Sequence, residues 1–267
     1  VVMPTLSLGT CCGSTPDAGL KSWLAQGGVG IDTAFDYQDQ RNISDILKAT
    51  GTERSSVFIT SKVPAGFGNA SDCNPDPQIV LDYVHENLAE LDTDYLDLLL
   101  IHAPCRISRH PVADDHKSNQ ALWEGAEEAL RRNLTRAIGV SNYNTDDLTN
   151  LTTTVVPAIN QCHMSIGNGY QGDDIKYCHS QGIVYEAYGA MKGCPFDDNK
   201  TQAIASHHNK TVAQVCLRWT IQLGGAVAAG TGSDPSSAAG YAQENLDIFD
   251  FQLSDDDMQY LNSVSQR

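Results

Sequence analysis

The sequence predicts an α/β fold, a single (β/α)8 TIM barrel spanning residues 1–267, on three observations. The chain has 267 residues, close to the roughly 250 that such a barrel takes. Short apolar, β-branched runs alternate with helix-like segments, the pattern of parallel strands covered on their outer face. Polar residues stand at the C-terminal ends of several of these runs, the edge on which a barrel carries its active site. No Pro/Ser-rich tract, charge block or low-complexity stretch divides the chain, so one domain is expected.

The runs follow in order. "LSLGT" (6–10) and "GVGID" (28–32) supply the first two strands. "SVFITSKV" (56–63) precedes a helix over 76–91, where Ile79, Val80, Tyr83, Val84, Asn87, Leu88 and Leu91 approximate an i, i+3/i+4 stripe. "DYLDLLLIHAP" (94–104) precedes a helix over 119–132. "RAIGVSNY" (136–143) precedes one over 145–154, with Thr145 or Asp146 as N-cap. "PAINQCHM" (157–164) leads to a helix over 173–182 that Gly182 ends. "IVYEAYG" (183–189) leads to paired helices at 200–206 and 211–222, and "GGAVAAGTG" (224–232) to a Ser/Ala-rich helix near 235–242.

Asp32, Lys62, His102, Ser141-Asn142, Gln161 and Tyr188 each end a different run, so a closed barrel brings them to one mouth. Tyr37 follows Asp32 by five residues and can lean back over the strand end. A phenol is a poor acid near neutrality, with a reference pKa of about 10, and a neighbouring ammonium lowers that value. Lys62 is the candidate ammonium, Asp32 its partner, and His102 the group that orients a carbonyl oxygen beside the phenol. Singly, a strand-end His or Lys is more often structural; four on one edge suit protonation of a carbonyl oxygen. Asp36 and Asp39 are expected to face solvent without a role.

The formal net charge of −16 works against nucleic acid and anionic membrane surfaces as partners. No run approaches a membrane span of about 20 apolar residues, and Val1–Thr10 lacks the regions of a signal peptide. Eight cysteines lack zinc-site spacing, so they read as buried or bystander thiols and no metal is expected. Six Asn-x-Ser/Thr sequons, at Asn42, Asn69, Asn133, Asn150, Asn199 and Asn209, leave secretion open beside a cytoplasmic expectation. Without heptads or long amphipathic extensions, a monomer is expected.

The segments "MPTLSLGT" (3–10), "GIDTAFDY" (30–37), "FITSKV" (58–63), "DYLDLLLIHAP" (94–104), "LWEGAEEAL" (122–130), "AIGVSNY" (137–143), "INQCHMS" (159–165), "GIVYEAYG" (182–189), "VAQVCLRWTIQ" (212–222) and "ENLDIFDFQLSDDDM" (244–258) run in order along nearly the whole chain. Together they resemble the aldo-keto reductase family. The resemblance implies a catalytic tetrad of Asp32, Tyr37, Lys62 and His102 and NAD(P)H-dependent reduction of an aldehyde or ketone, a small-molecule carbonyl substrate. It further implies that Ser141, Asn142 and Gln161 hold the nicotinamide carboxamide, that Tyr188 stacks on its ring, and that Glu244 and Asn245 lie near the adenine. Lys192 is a candidate pyrophosphate contact.

The sequence departs from the family's pattern in places. Many relatives carry a Pro-Lys-Ser segment and a later Arg for the 2′-phosphate of NADPH; here 228–245 holds no Lys or Arg, and Tyr241 takes the Arg position. Thr231, Ser233, Ser236, Ser237 and a helix start remain as donors, so the expected cofactor is NADPH, with NADH or dual use open. Cys11 and Ala103 stand where relatives often have Trp, and the long C-terminal loop of many relatives is absent, which predicts a wide mouth. Arg106 and Arg109 either meet a substrate carboxylate or stay solvated. "GNGYQG" (167–172) is read as a turn, since Asp173 and Asp174 would repel phosphate. Two other readings fit the same residues: a cofactor-binding regulatory or structural barrel with little turnover, and non-redox acid-base catalysis.

Overall fold

The computed structural model describes residues 2–110, 112–168 and 172–264. Eight parallel strands close into a barrel in chain order. They are β1 (Leu6–Gly9), β2 (Gly30–Asp32), β3 (Phe58–Val63), β4 (Leu98–Ile101), β5 (Ile138–Ser141), β6 (Ile159–His163), β7 (Val184–Tyr188) and β8 (Gly225–Ala229), and β8 pairs back onto β1 through Leu6↔Val227. Each strand is only three to six residues of the apolar run that predicts it, because the run's flanks turn into loops.

Around the barrel lie α1 (Pro16–Ala25), α2 (Gln40–Thr50), α3 (Gln78–Leu91), α4 (Asp115–Arg131), α5 (Thr145–Thr149), α6 (Gly172–Ser180), α7 (Asn199–His207), α8 (Val212–Leu223), α9 (Pro235–Leu246) and α10 (Asp255–Val264). Local chemistry sets their ends. Pro16 opens α1 at a position whose N–H has no helical acceptor. Gly51 and Gly182 follow α2 and α6 with φ of 67° and 73°, a conformation glycine adopts without strain. Thr211 and Gln214 form a capping box on α8. The helix expected over 145–154 stops at Thr149, since Thr152 to Thr154 are β-branched and disfavour continuation. Helices α1, α2 and α10 carry no sequence expectation. In α1, Pro16 stands at the helix start and Gly19, inside the helix, sits against Thr231, whose Oγ1 a Cβ there would meet at 1.8 Å. The turn expected at 167–172 falls partly outside the described residues. Among the described residues no helix is long and apolar enough to cross a membrane.

The core has two parts. The larger lies between the sheet and the helices, with Trp23, Trp123 and Trp219 fully buried in it. A smaller apolar cluster of Phe58, Leu98, Leu100 and Ile159, with Met3 and Ala137 against it, forms separately. Side chains alternate along a strand, so Phe58, Thr60 and Lys62 share a face of β3. That face points into the barrel, because Lys62 reaches Asp32, and Asp32 is bonded to Gln161 on β6, which is not a neighbour of β2.

The cysteines correct the expectation of bystander thiols. Cys73 pairs with Cys105, Cys194 with Cys216, and Cys11 with its neighbour Cys12. Among the described residues Cys162 and Cys178 are free, and both are buried. The partners stand 32 and 22 positions apart in the two long-range pairs, separations that carry no sequence signature.

Candidate active site

The site is built on Lys62, which is fully buried at the C-terminal end of β3. Its Nζ donates to Asp32 Oδ1 at 2.7 Å and to the Thr33 carbonyl at 2.9 Å. Burial pushes the ammonium's pKa down, but Asp32, then Tyr37 and Glu186, outweigh it and the net direction is up. A buried ammonium without that carboxylate would be strongly disfavoured.

Tyr37 ends the short 3-10 helix Phe35–Tyr37 that follows β2, and Lys62 Nζ lies 5.1 Å from the centre of its ring. The expectation that Lys62 makes this phenol more acidic is corrected in its net effect. Burial pushes the pKa up, Lys62 opposes through its charge and a hydrogen bond, and Asp32 and Asp39 add to the rise. The phenol therefore holds its proton at neutral pH.

His102 follows β4, with its ring 5.6 Å from that of Tyr37 and nearly edge-on. Its Nδ1 meets Asp36 Oδ2 at 2.8 Å. Burial lowers the imidazole's pKa, the Asp36 hydrogen bond raises it, and Lys62 lowers it further, for a net fall. Facing a carboxylate, Nδ1 carries the proton of the neutral ring, which leaves Nε2 as an acceptor. Asp36 is exposed, as expected, but its pairing with His102 corrects the expectation that it has no role. Asp39 instead turns inward: its Oδ1 accepts from Thr33 Oγ1 at 2.5 Å, and burial raises its pKa. Neither contact is readable from sequence, because both depend on how the 3-10 turn directs its side chains.

Glu186 is the residue that sequence reasoning passes over. It is fully buried inside β7, and Gln161 Nε2 donates both to its Oε2 at 2.8 Å and to Asp32 Oδ2 at 2.7 Å. Burial, with Asp32 adding its charge, pushes its pKa up to about 8. The signal was an acid two residues before Tyr188, on the same face of an otherwise apolar strand.

The residues expected near the nicotinamide share one edge. Asn142 has φ of 63°, which turns its side chain across the strand ends. Its Nδ2 donates to the His102 carbonyl at 3.1 Å and to Ser141 Oγ at 2.9 Å, and its Oδ1 accepts from Tyr188 OH at 2.8 Å. Ser141 Oγ donates to the Gln161 carbonyl. Burial pushes the Tyr188 phenol up to about 12. A cleft of about 490 Å³ opens beside Asn142 and His163. Lys192 is exposed in the short helix after β7.

The remaining candidates are more scattered, although Arg106 lines the same cleft as Asn142. Thr231 is buried with its hydroxyl against α1, and its backbone N–H donates to Ser14 Oγ. Ser233 is exposed. The start of α9 is capped by Asp234, which accepts from the Ser236 N–H and from the hydroxyls of Ser236 and Ser237; those donors are engaged by a carboxylate. Glu244 accepts from Thr211 Oγ1, and Asn245 Nδ2 donates to the Gly230 carbonyl at 3.2 Å, holding the loop after β8. Ala103 is fully buried and lines no mouth, which corrects its place among substrate residues. Arg106 is paired with both oxygens of Asp147 at 2.8 Å, while Arg109 is exposed. Cys11 sits beyond β1, bonded to Cys12. Phe67, not singled out in the sequence, is exposed and packs edge-on against His102 at 5.3 Å.

Comparison with known proteins yields consistent matches. A statistical model of the Aldo/keto reductase family matches residues 17–266. The glyoxal reductase of Bacillus subtilis (strain 168) is 33% identical over 277 aligned positions, covering 100% of this chain and 90% of that protein. Morphine 6-dehydrogenase of Pseudomonas putida is 30% identical, covering 99% of this chain and 88% of its own. Among solved structures, an aldo/keto reductase from Brucella melitensis superimposes with a TM-score of 0.82 at 28% identity, over 98% of this chain and 95% of that one. An aldo-keto reductase complexed with NADPH does so with a TM-score of 0.83 at 28% identity, over 98% and 84% of the two chains.

Proposed function

The chain belongs to the aldo/keto reductase family, the NAD(P)H-dependent oxidoreductases of carbonyl groups, and from that premise we propose that Tyr37 is its proton donor. The observation that carries the assignment is the Asp32–Lys62–Tyr37 arrangement, an ammonium fixed at 2.7 Å by a carboxylate and set against a protonated phenol. Lys62 stabilises the phenolate as the proton leaves, and Asp32 keeps Lys62 charged and in place. The neutral His102 accepts at Nε2 and so suits an alcohol O–H; the protonated ring donates to a carbonyl oxygen. Reduction therefore gains its second donor as His102 takes up a proton.

The nicotinamide end of a cofactor fits the polar edge formed by Ser141, Asn142 and Gln161, with Tyr188 as the aromatic face beside it. When bound, the cofactor supplies or takes the hydride at the carbonyl carbon. The fit is poorer for a 2′-phosphate: residues 228–245 hold no cation, and Asp234 occupies the helix start that would otherwise attract an anion. We read the chain as accepting NADH at least as well as NADPH. Every group invoked comes from one barrel, so a monomer suffices. Arg109, Phe67 and Cys11 remain the candidates for contact with the substrate.

The Tyr37→Phe variant tests the reading. Reduction of a simple aldehyde is expected to fall at least about 100-fold, the usual scale for loss of a general acid. Nicotinamide binding, followed by its own fluorescence, is expected to stay within about twofold. Retained turnover in Tyr37→Phe would assign the proton to another group.

A further inference from the structure

We propose that this chain matures in an oxidising compartment that attaches N-glycans, and that Asn69, Asn133, Asn150, Asn199 and Asn209 are its glycan-acceptor sites. Two independent observations carry this in place of the cytoplasmic expectation.

The first is the cross-linking. Six of eight cysteines are paired, and two of the three bonds join distant segments. Cys73–Cys105 ties the loop after β3 to the loop after β4, the loops that follow Lys62 and His102. Cys194–Cys216 ties the segment after β7 to α8. Their Cα atoms are 5.7 and 5.9 Å apart, in the middle of the range that a disulfide spans without moving the backbone. Cys73 and Cys105 are 5% and 1% exposed, so this bond is sealed from solvent once formed. Bonds of this kind persist in oxidising compartments and are rare where a thiol pool keeps cysteines reduced. Each forms as two thiols give up two electrons and two protons to a disulfide oxidant by exchange.

The second is the placement of the sequons. Five of the six asparagines are exposed, and all five stand at the ends of elements. Asn133 and Asn209 occupy left-handed turns with φ of 59° and 53°. Asn150 closes α5, Asn199 opens α7, and Asn69 precedes the short 3-10 helix Ala70–Cys73. A sugar on any of them extends into solvent without displacing a packed side chain. Asn42 differs in being half-buried within α2, with its Nδ2 donating to Asp17 Oδ2 at 2.6 Å; the Nδ2 of exposed Asn150 also donates, to the Asp146 carbonyl at 2.8 Å, a bond that the one N–H left on a glycosylated amide can keep. In the transfer itself Nδ2 bonds to the anomeric carbon of an oligosaccharide, losing one proton, while the sugar leaves its lipid-pyrophosphate carrier. None of these asparagines or paired long-range cysteines is a group invoked for carbonyl reduction, so the outcome is independent of that reading.

The test uses protein isolated from the cells that make it, with free thiols trapped by alkylation at lysis. Peptides from a non-reducing digest are analysed by mass spectrometry before and after enzymatic removal of N-glycans in heavy-oxygen water. Expected are linked Cys73–Cys105 and Cys194–Cys216 peptides, together with heavy-oxygen aspartate at one or more of the five asparagines. Intact asparagine at all five overturns the modification. Alkylated thiols at Cys73, Cys105, Cys194 and Cys216 overturn the oxidising compartment.

Discussion

Asp36 and His102 meet at 2.8 Å, and the pairing decides which nitrogen of the ring carries a proton. Asp36 raises the His102 pKa against burial and Lys62, which lower it. Its removal in Asp36→Ala should therefore drop that pKa further. Because reduction draws on the protonated ring, the fall of kcat/KM with rising pH is expected to move to lower pH, and a fall that stays fixed would assign it to another group. Glu186 gives a second residue-scale prediction, read in stability. Its carboxyl ionises near the ordinary 4.5 in the unfolded chain but only at about 8 in the barrel. Between those values the unfolded state gives up the proton first, so the native protein loses stability as pH rises through that window. Glu186→Gln keeps an acceptor for Gln161 and removes the penalty. Its advantage over the natural chain should be absent at pH 4 and reach on the order of 1–4 kcal/mol by pH 9, measured as urea unfolding at both values. Equal stability at pH 9 would mean that Glu186 ionises normally. Asp32 and Lys62 were legible in the sequence because each ends a strand. Asp36 and Asp39 were not, because the direction of a side chain leaving a 3-10 turn depends on backbone that no periodicity encodes.

The two long-range disulfides act on elements, since each fastens a loop at the open end of the barrel. Replacing both Cys73 and Cys105 by Ala releases a loop of 32 positions, whose closure is worth about 2–4 kcal/mol. A melting temperature lower by roughly 4–16 °C is expected, at the usual 2–4 °C per kcal/mol for a domain of this size. At least that fall should appear when the natural protein is unfolded with reductant present, since Cys194–Cys216 opens as well; an unchanged midpoint in both would mean that packing alone holds these loops. The strands are the most legible elements, because a strand buried on both faces is largely apolar, and "LLLI" in β4 allows little else. Helix α5 was read too long because an N-cap marks a beginning more sharply than three threonines mark an end. Helix α1 carries no sequence expectation for the opposite reason: its start rests on Pro16 at the first helical position and its packing on the close approach of Gly19 to Thr231, which only the fold provides. Disulfide partners stayed hidden because only the closed barrel brings residues 73 and 105, or 194 and 216, together.

The whole molecule carries a formal charge of −16, and a nicotinamide dinucleotide is itself an anion. With no cation in 228–245 to focus the field locally, the protein as a whole repels its cofactor. Added salt screens that repulsion: the Debye length falls from about 30 Å at 0.01 M to about 8 Å at 0.15 M. Cofactor affinity should therefore rise over this range. The rise should be larger for NADPH, whose 2′-phosphate adds negative charge and, on the placement proposed above, meets Asp234 at the start of α9. Asp234→Ser removes that carboxylate while keeping a capping side chain, and is expected to improve NADPH binding about two- to fivefold with NADH nearly unchanged, the scale of one charge at a helix terminus. Calorimetric titration of both cofactors at two salt concentrations reads all of these effects. If affinity instead falls with salt, a local cation outweighs the global field, and exposed Lys192 becomes the first residue to replace. If Asp234→Ser leaves the NADPH:NADH ratio unchanged, the adenosine end of the cofactor does not approach α9, and the absence of basic residues there has no bearing on cofactor choice.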